Sequence, residues 1–228
     1  MVIKKNFDVI AIIPARAHHD KIDLLNMKEF GGKPLIYYTI EQAKKSKYIN
    51  QIFLSTESKE IAEYGIKNGA KVKFFRPTKL VKKKVSTDEV VKDFIKRSKI
   101  KAKIIVTLLP NAPFRTFETI DKMIKLFKSK KNIDRIYSAK NIKTSIWGEK
   151  QKEFINIYNV EKQKKIFALS GGIIVSNMNF YFGKKKKVFY YIVNEIESLM
   201  IHSIFDLILA DRLIDIDQTI LMELVKSK

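Results

Sequence analysis

Arginine is scarce in this chain and lysine is not. Of 45 basic residues only six are arginine: Arg16, Arg76, Arg97, Arg115, Arg135 and Arg212. Three of them fall in short segments that also carry proline, "PAR" at Arg16, "RP" at Arg76 and "PFR" at Arg115. A guanidinium forks onto a phosphate or a base edge in a way an ammonium cannot. In a chain that defaults to lysine, arginines beside strand-ending prolines point to a site for an anionic ligand. Histidine is scarcer still: His18, His19 and His202. Asp20 follows the first two, and Asp206 lies one helical turn beyond the third. Imidazole and carboxylate together suit a borderline metal such as Zn²⁺, through His18 and His202, or acid–base work near neutral pH. Adjacent side chains point apart, so His18 and His19 make a poor ligand pair by themselves.

These residues need a frame, and the hydropathy pattern supplies one. "FDVIAII", "INQIFLST", "AKVKFF", "AKIIVTLL" and "IDRIYSA" read as strands. Between them, "PLIYYTIEQAKKS", "SKEIAEYGIKNG", "STDEVVKDFIKRS" and "TFETIDKMIKLFKS" have helical spacing. Pro34 suits a first helical turn, and Ser and Thr caps open the later helices. Strand and helix in alternation imply one α/β domain over 1–228, a mostly parallel sheet flanked by helices. From Lys140 to about Phe189 the text changes to short strands and turns, a β-rich arm at about 140–190. From Ser198 onward the chain is strongly apolar at helical spacing but broken by charge, which predicts a terminal helix on the sheet or at a dimer interface. Ligands of open α/β sheets sit beyond the carboxyl ends of the strands. The loops that matter are therefore "PARAHHDK", "TES", "RPTKL", "PNAPFR" and "AKN".

Composition narrows the classes. At 228 residues and 46% hydrophobic content, the chain can bury a full core. The formal net charge is +21, but the lysines are spread along the whole length. No zinc-finger spacing, RNP-like aromatic motif or basic heptad accompanies them, so nucleic acid is not the expected partner. Cysteine is absent, which removes disulfide and thiolate chemistry and fits a cytoplasmic protein. No apolar run reaches the roughly 20 residues of a membrane helix. The first apolar stretch contains Asp8 and ends at Pro14, a strand rather than a signal peptide.

Taken in order, the loops resemble those of the acylneuraminate cytidylyltransferases, the CMP-sugar synthetases that activate nonulosonic (sialic-like) keto acids. Residues 12–36, "IIPARAHHDKIDLLNMKEFGGKPLI", are similar to the family's "IIPARGGSKGIPGKNIKLLGGKPLI" without a gap. "STES" from Ser55, "RPTKLVKKKVSTDEVV" from Arg76, "LLPNAPFRTFETID" from Leu108 and "SGGIIV" from Ser170 also have counterparts there. The resemblance implies a Rossmann-like nucleotide-diphospho-sugar transferase fold whose β-rich arm serves dimerisation. It implies transfer of CMP from CTP to a keto sugar acid, with Mg²⁺, in a cytoplasmic homodimer. Residue by residue, it implies that Arg16 is catalytic and cradles the triphosphate. Asn26 and Arg76 would contact cytosine or ribose, and Thr87 the nucleotide. Asn111 and Arg115 would shape the sugar-acid side, and Asp206 would be catalytic with Arg16 and stand on the metal.

The same comparison marks departures. The family's Gly-Ser-Lys phosphate loop falls on His18, His19 and Asp20. Its lysine before Asn26 is Leu25, and its glutamine before the proline turn is Leu109. Its two metal-side aspartates fall on Met200 and His202, leaving Asp206. Mg²⁺ is a hard ion that wants oxygen, and neither Met nor His suits it. Asp215 and Asp217 recur near the end, but inside a helical pattern their side chains would diverge. Two readings stay open: a cytidylyltransferase with a rebuilt site, or an inactive homologue that binds nucleotide or a partner.

Overall fold

The computed structural model describes residues 6–18, 21–82, 84–142, 146–150, 153–158, 166–183, 187–214 and 216. Strand β1 (Asn6–Pro14) is covered on both faces. Its alternate residues part to two sides: Val9, Ala11 and Ile13 enter one core, and Ile10 and Ile12 the other. That is the period-two pattern of a strand covered on both faces. A short turn at Leu25–Met27 and a small hairpin of β2 (Glu29–Phe30) and β3 (Lys33–Pro34) follow. Gly31 and Gly32 supply the hairpin's positive φ values, 52° and 74°. Pro34 then caps α1 (Leu35–Lys45), so "GGKPLI" is the glycine turn into a helix that its sequence suggests.

The alternation continues through β4 (Gln51–Ser55), α2 (Lys59–Lys67), α3 (Thr87–Ser98), β5 (Lys101–Leu108), α4 (Phe117–Ser129) and β6 (Arg135–Ile142). Each of the three later helices starts where a cap is written. Ser58 accepts from the Ile61 N–H, and Thr116 accepts from the Thr119 N–H. Ser86 and Glu89 form a reciprocal capping box. Residues of α1, α2 and α4 pack with one face of the sheet, and Val91, Phe94 and Ile95 of α3 with the other.

After β6 come the hairpin strands β7 (Ile146–Lys150) and β8 (Glu153–Tyr158), then β9 (Ile166–Asn177), β10 (Val188–Ile192) and α5 (Ile204–Ile214). The main sheet has the order β10-β6-β9-β5-β1-β4. The β1–β4, β1–β5 and β10–β6 pairs are parallel, and β9 lies antiparallel between β5 and β6.

Three expectations change. The arm expected at 140–190 reduces to the β7–β8 hairpin, because β9 and β10 are strands of the main sheet. The strand expected at "AKVKFF" makes a single bridge, Lys71 to Phe53, beside β4. Lys71 and Lys73 are exposed there, and among the described residues no further strand lies beyond β4 to reward continued pairing. The terminal helix spans Ile204–Ile214, and the "DID" pair at Asp215 and Asp217 lies outside the described residues. Among the described residues, no helix is long and apolar enough to cross a membrane.

Candidate functional site

The carboxyl ends of β1 and β5 open onto a cleft of about 260 Å³. Pro14 and Arg16 follow β1; Leu109, Pro110 and Asn111 follow β5; Leu80, Val81, Lys82, Val85, Thr87 and Val90 close one wall; His202 also lines the cleft. Six expected residues line it together: Arg16, Asn26, Arg76, Thr87, Asn111 and His202. These positions are spread over 187 residues of sequence, from 16 to 202, and the sheet topology brings them together.

Local bonds fix each part. Asn26 is buried and donates from Nδ2 to the Arg16 carbonyl at 2.7 Å, closing the loop after β1. The Leu24 N–H donates to the Ala17 carbonyl at 2.9 Å, with Leu24 in the left-handed region at φ 52°. Arg76 is buried at the tip of β4, where Nη2 donates to the Ser55 carbonyl and Nε to Ser55 Oγ. Burial pushes its guanidinium below the ordinary value, Glu57 pulls it back up, and the nearby positive charge of Arg16 pushes it down again. Glu57 stands behind this pair: Oε1 accepts from the Ala17 N–H at 2.6 Å, and Oε2 is 3.9 Å from Arg76 Nη1. Thr87 opens α3 one residue after its Ser86 cap. Asn111 is stitched to the C-terminal segment, its carbonyl accepting from the Ile201 N–H at 2.7 Å and its Nδ2 donating to the Ile201 carbonyl at 3.1 Å. That pair of hydrogen bonds brings His202 to the cleft.

Three expected residues go elsewhere. Arg115, expected on the sugar-acid side, is 1% exposed and does not line the cleft. Nη1 donates to the Gly172 carbonyl at 2.8 Å, and Nη2 to Thr39 Oγ1 at 2.9 Å and to the Leu109 carbonyl. Burial lowers its pKa to about 9, against a raising effect of Glu197. Arg115 is a strut between α1, the turn after β5 and the glycine pair of β9. Gly172, one of its acceptors, sits at φ 61°, and a Cβ there would come within 2.9 Å of Ala112 Cβ, so the turn after β5 packs directly on a glycine.

His18 is exposed and pairs through Nδ1 with Asp23 Oδ1 at 2.8 Å. Asp206 accepts from the His202 N–H at 2.9 Å, while its own N–H donates to Ser203 Oγ at 3.2 Å. Burial pushes the Asp206 carboxyl up, and the bonds from His202 and Ser203 outweigh it and hold it below its usual value. Its carboxylate therefore serves the start of α5. With Met200 it borders a separate recess of about 30 Å³, lined also by Phe114, Leu199 and Leu209.

The expected metal set thus does not assemble. Among the described residues, no three histidine, aspartate or glutamate side chains converge to hold a metal ion. His19 and Asp20 lie outside the described residues. The described lining of the cleft contains Arg16, Arg76 and Lys82 and no carboxylate, a donor set that does not fit Mg²⁺. Two further groups escape the sequence. Lys82 is hidden in the run "VKKK", where it is indistinguishable from solvated neighbours, and Glu57 carries no spacing signal that separates it from a helix-start acid.

The family model for cytidylyltransferases matches residues 10–206. The CMP-N,N'-diacetyllegionaminic acid synthase of Legionella pneumophila is 27% identical over 234 residues, covering 94% of this chain and 99% of that protein. The pseudaminic acid cytidylyltransferase of Campylobacter jejuni is 40% identical over a shorter stretch of 86 residues, 38% of this chain and 37% of its own length. Among solved structures, a CMP-2-keto-3-deoxy-manno-octonic acid synthetase complexed with CTP superposes with a TM-score of 0.70 at 12% identity, covering 91% of this chain and 98% of that one. The 4-diphosphocytidyl-2C-methyl-D-erythritol synthase of Anaerococcus prevotii superposes with a TM-score of 0.68 at 14% identity, with the same coverage. At such identities the two superpositions speak for the fold alone. With the loops at the sheet's carboxyl edge, the matched span and the full-length relative in agreement, this chain belongs to the cytidylyltransferase family, among the CMP-nonulosonate synthetases.

Proposed function

We propose that the cleft binds CTP and that the protein transfers CMP to a nonulosonic keto sugar acid. The observation that carries this reading is the convergence of Arg16, Asn26, Arg76, Thr87 and Asn111 on one cleft at the strand ends. In the reaction, a hydroxyl oxygen of the sugar acid bonds to the α-phosphorus of CTP. The bond from that phosphorus to the bridging oxygen breaks, pyrophosphate leaves, and the hydroxyl proton passes to solvent. Such a transfer asks the protein to position reactants and neutralise charge. Arg76, locked on Ser55, and Arg16, on a loop closed by Asn26, present cations that need not reorganise when the phosphates arrive. The full-length relative's name supports the acid class of the acceptor.

A second reading has its own observation. No carboxylate lines the cleft among the described residues, which favours a protein that binds nucleotide as a partner subunit without turning it over. Pyrophosphate release and CTP-induced thermal stabilisation separate the two, measured with a panel of nonulosonic acids, with and without Mg²⁺ or Mn²⁺. Release that disappears in Arg76→Ala supports transfer. Stabilisation without release supports the binding subunit, and neither signal would overturn both.

The assembly we propose is a cytoplasmic homodimer. On the edge strand β10, Val188, Tyr190 and Ile192 are exposed, as is Leu169 of β9, and Tyr190 stacks on Phe167 of β9 at 4.0 Å between ring centres. A second copy over this face would cover them. Light scattering at a mass near the 26.6 kDa of one chain would refute it.

A further inference from the structure

The cleft's charges point beyond nucleotide binding to the form of nucleotide it takes. Three cationic side chains line it: Arg16, Arg76 and Lys82. Glu57 is the one carboxylate within ion-pair distance of Arg76 among the described residues, and its Oε1 is already occupied by the Ala17 N–H. Arg16 and Arg76 line the same cleft, and the positive charge of Arg16 pushes the Arg76 guanidinium down. Like charges held together in a half-buried cleft are stabilised by an anion that bridges them. A divalent cation has no such welcome. Asp206 is committed to the His202 N–H and to the start of α5, and it borders a different recess with Met200. Among the described residues lining the cleft, a hard cation brought in on the phosphates would meet guanidinium and ammonium charges, and the side-chain oxygens there, of Asn26, Thr87 and Asn111, are neutral.

Resting on the nucleotide reading above, we propose that this cleft binds the phosphates of metal-free nucleotide, with Arg16, Arg76 and Lys82 carrying the neutralisation that a chelated divalent cation would otherwise provide. Free CTP is more negatively charged than its magnesium chelate. Fixed cations therefore bind it more tightly, and magnesium competes with the protein for the same phosphate oxygens. If chelation removes one charge-assisted contact, affinity falls about tenfold.

The test is calorimetric titration of the full chain with CTP, first in excess EDTA and then in excess MgCl₂. The expected result is binding in EDTA and weakening of about tenfold in magnesium. Equal affinity in the two buffers overturns the competition between magnesium and the fixed cations, and the inference with it. Affinity that appears or improves only with magnesium overturns the inference and leaves the nucleotide reading intact. Absence of binding in both buffers overturns the nucleotide reading and this inference with it. Lys82 is exposed, so Lys82→Gln leaves the fold alone. It should weaken the EDTA titration several-fold and reduce the salt dependence of binding, and an unchanged titration removes Lys82 from the site.

Discussion

Arg115 separates two accounts of the same residue. From its place beside "NAPF" it is expected to meet the sugar acid; in the fold it is a buried strut. Replacing it with methionine keeps most of the apolar stem and removes the guanidinium. Thr39 Oγ1 then loses its donor, while the carbonyls of Gly172 and Leu109 keep the N–H groups of Leu109 and Ala112. Hydrogen bonds from a charged donor contribute about 1.5–3 kcal/mol each. Three are lost, and relief of the cost of burying the charge offsets part of that loss. The expected net destabilisation is about 3 kcal/mol, a fall in Tm of about 6–12 °C for a domain of this size. Calorimetric melts of Arg115→Met measure it, and CTP titration well below the new Tm should give the wild-type affinity. Arg115→Lys keeps the charge but not the fork and should fall between. An unchanged Tm together with lost keto-acid binding would refute the reasoning, because the side chain would then have to face ligand.

Two further perturbations probe the frame. Arg135, 1% exposed, stacks on Phe180 at 3.5 Å and pairs with Asp88 at 2.8 Å at the start of α3. Arg135→Leu should cost about 2–4 kcal/mol and loosen α3 beside Thr87, whereas Asp88→Asn, on the exposed end of the pair, should cost under about 1 kcal/mol; urea melts compare them. The Asp134 carboxyl is held below its usual value by the Lys187 N–H and then by the Asn177 amide. A depressed carboxyl stabilises the fold above its unfolded-state pKa, and that contribution is lost as pH falls through the folded value. Melting temperature should therefore drop on acidification below the ordinary carboxylate range, and Asp134→Asn should lower Tm at neutral pH and flatten that drop.

Much of the frame is written locally. Serine and threonine caps place α2, α3 and α4 within a residue, because capping depends on groups three positions apart. The cleft is legible for a related reason: once strands are placed, their carboxyl ends are fixed, and Arg16, Arg76, Thr87 and Asn111 follow. What stays hidden is non-local. "KIFALSGGIIV" reads as a strand, yet nothing in it says that it enters antiparallel between β5 and β6. The stitch from Asn111 to Ile201 joins residues 90 positions apart and has no sequence signature. Arg115 misleads because a guanidinium beside a proline looks the same whether it turns to solvent or to three buried acceptors. Asp206 misleads because the spacing that would serve a metal also serves a helix start.

Those two misreadings bear on the chemistry together. A carboxylate that caps α5 holds the 200–206 segment in place, and the Asn111–Ile201 bonds tie that segment to the turn after β5. His202 reaches the cleft through that geometry, on backbone bonds rather than through a ligated ion. The cations on the opposite side are anchored as firmly, Arg76 on Ser55 and the Arg16 loop on Asn26. Both walls are held by the protein's own hydrogen bonds, and among the described residues Glu57 is the carboxylate within ion-pair distance of Arg76. Electrostatics of that kind select for the most negative form of a phosphate ligand, so His202→Asp, which puts a carboxylate on the lining of the cleft, should confer a magnesium preference and weaken capture of the free nucleotide.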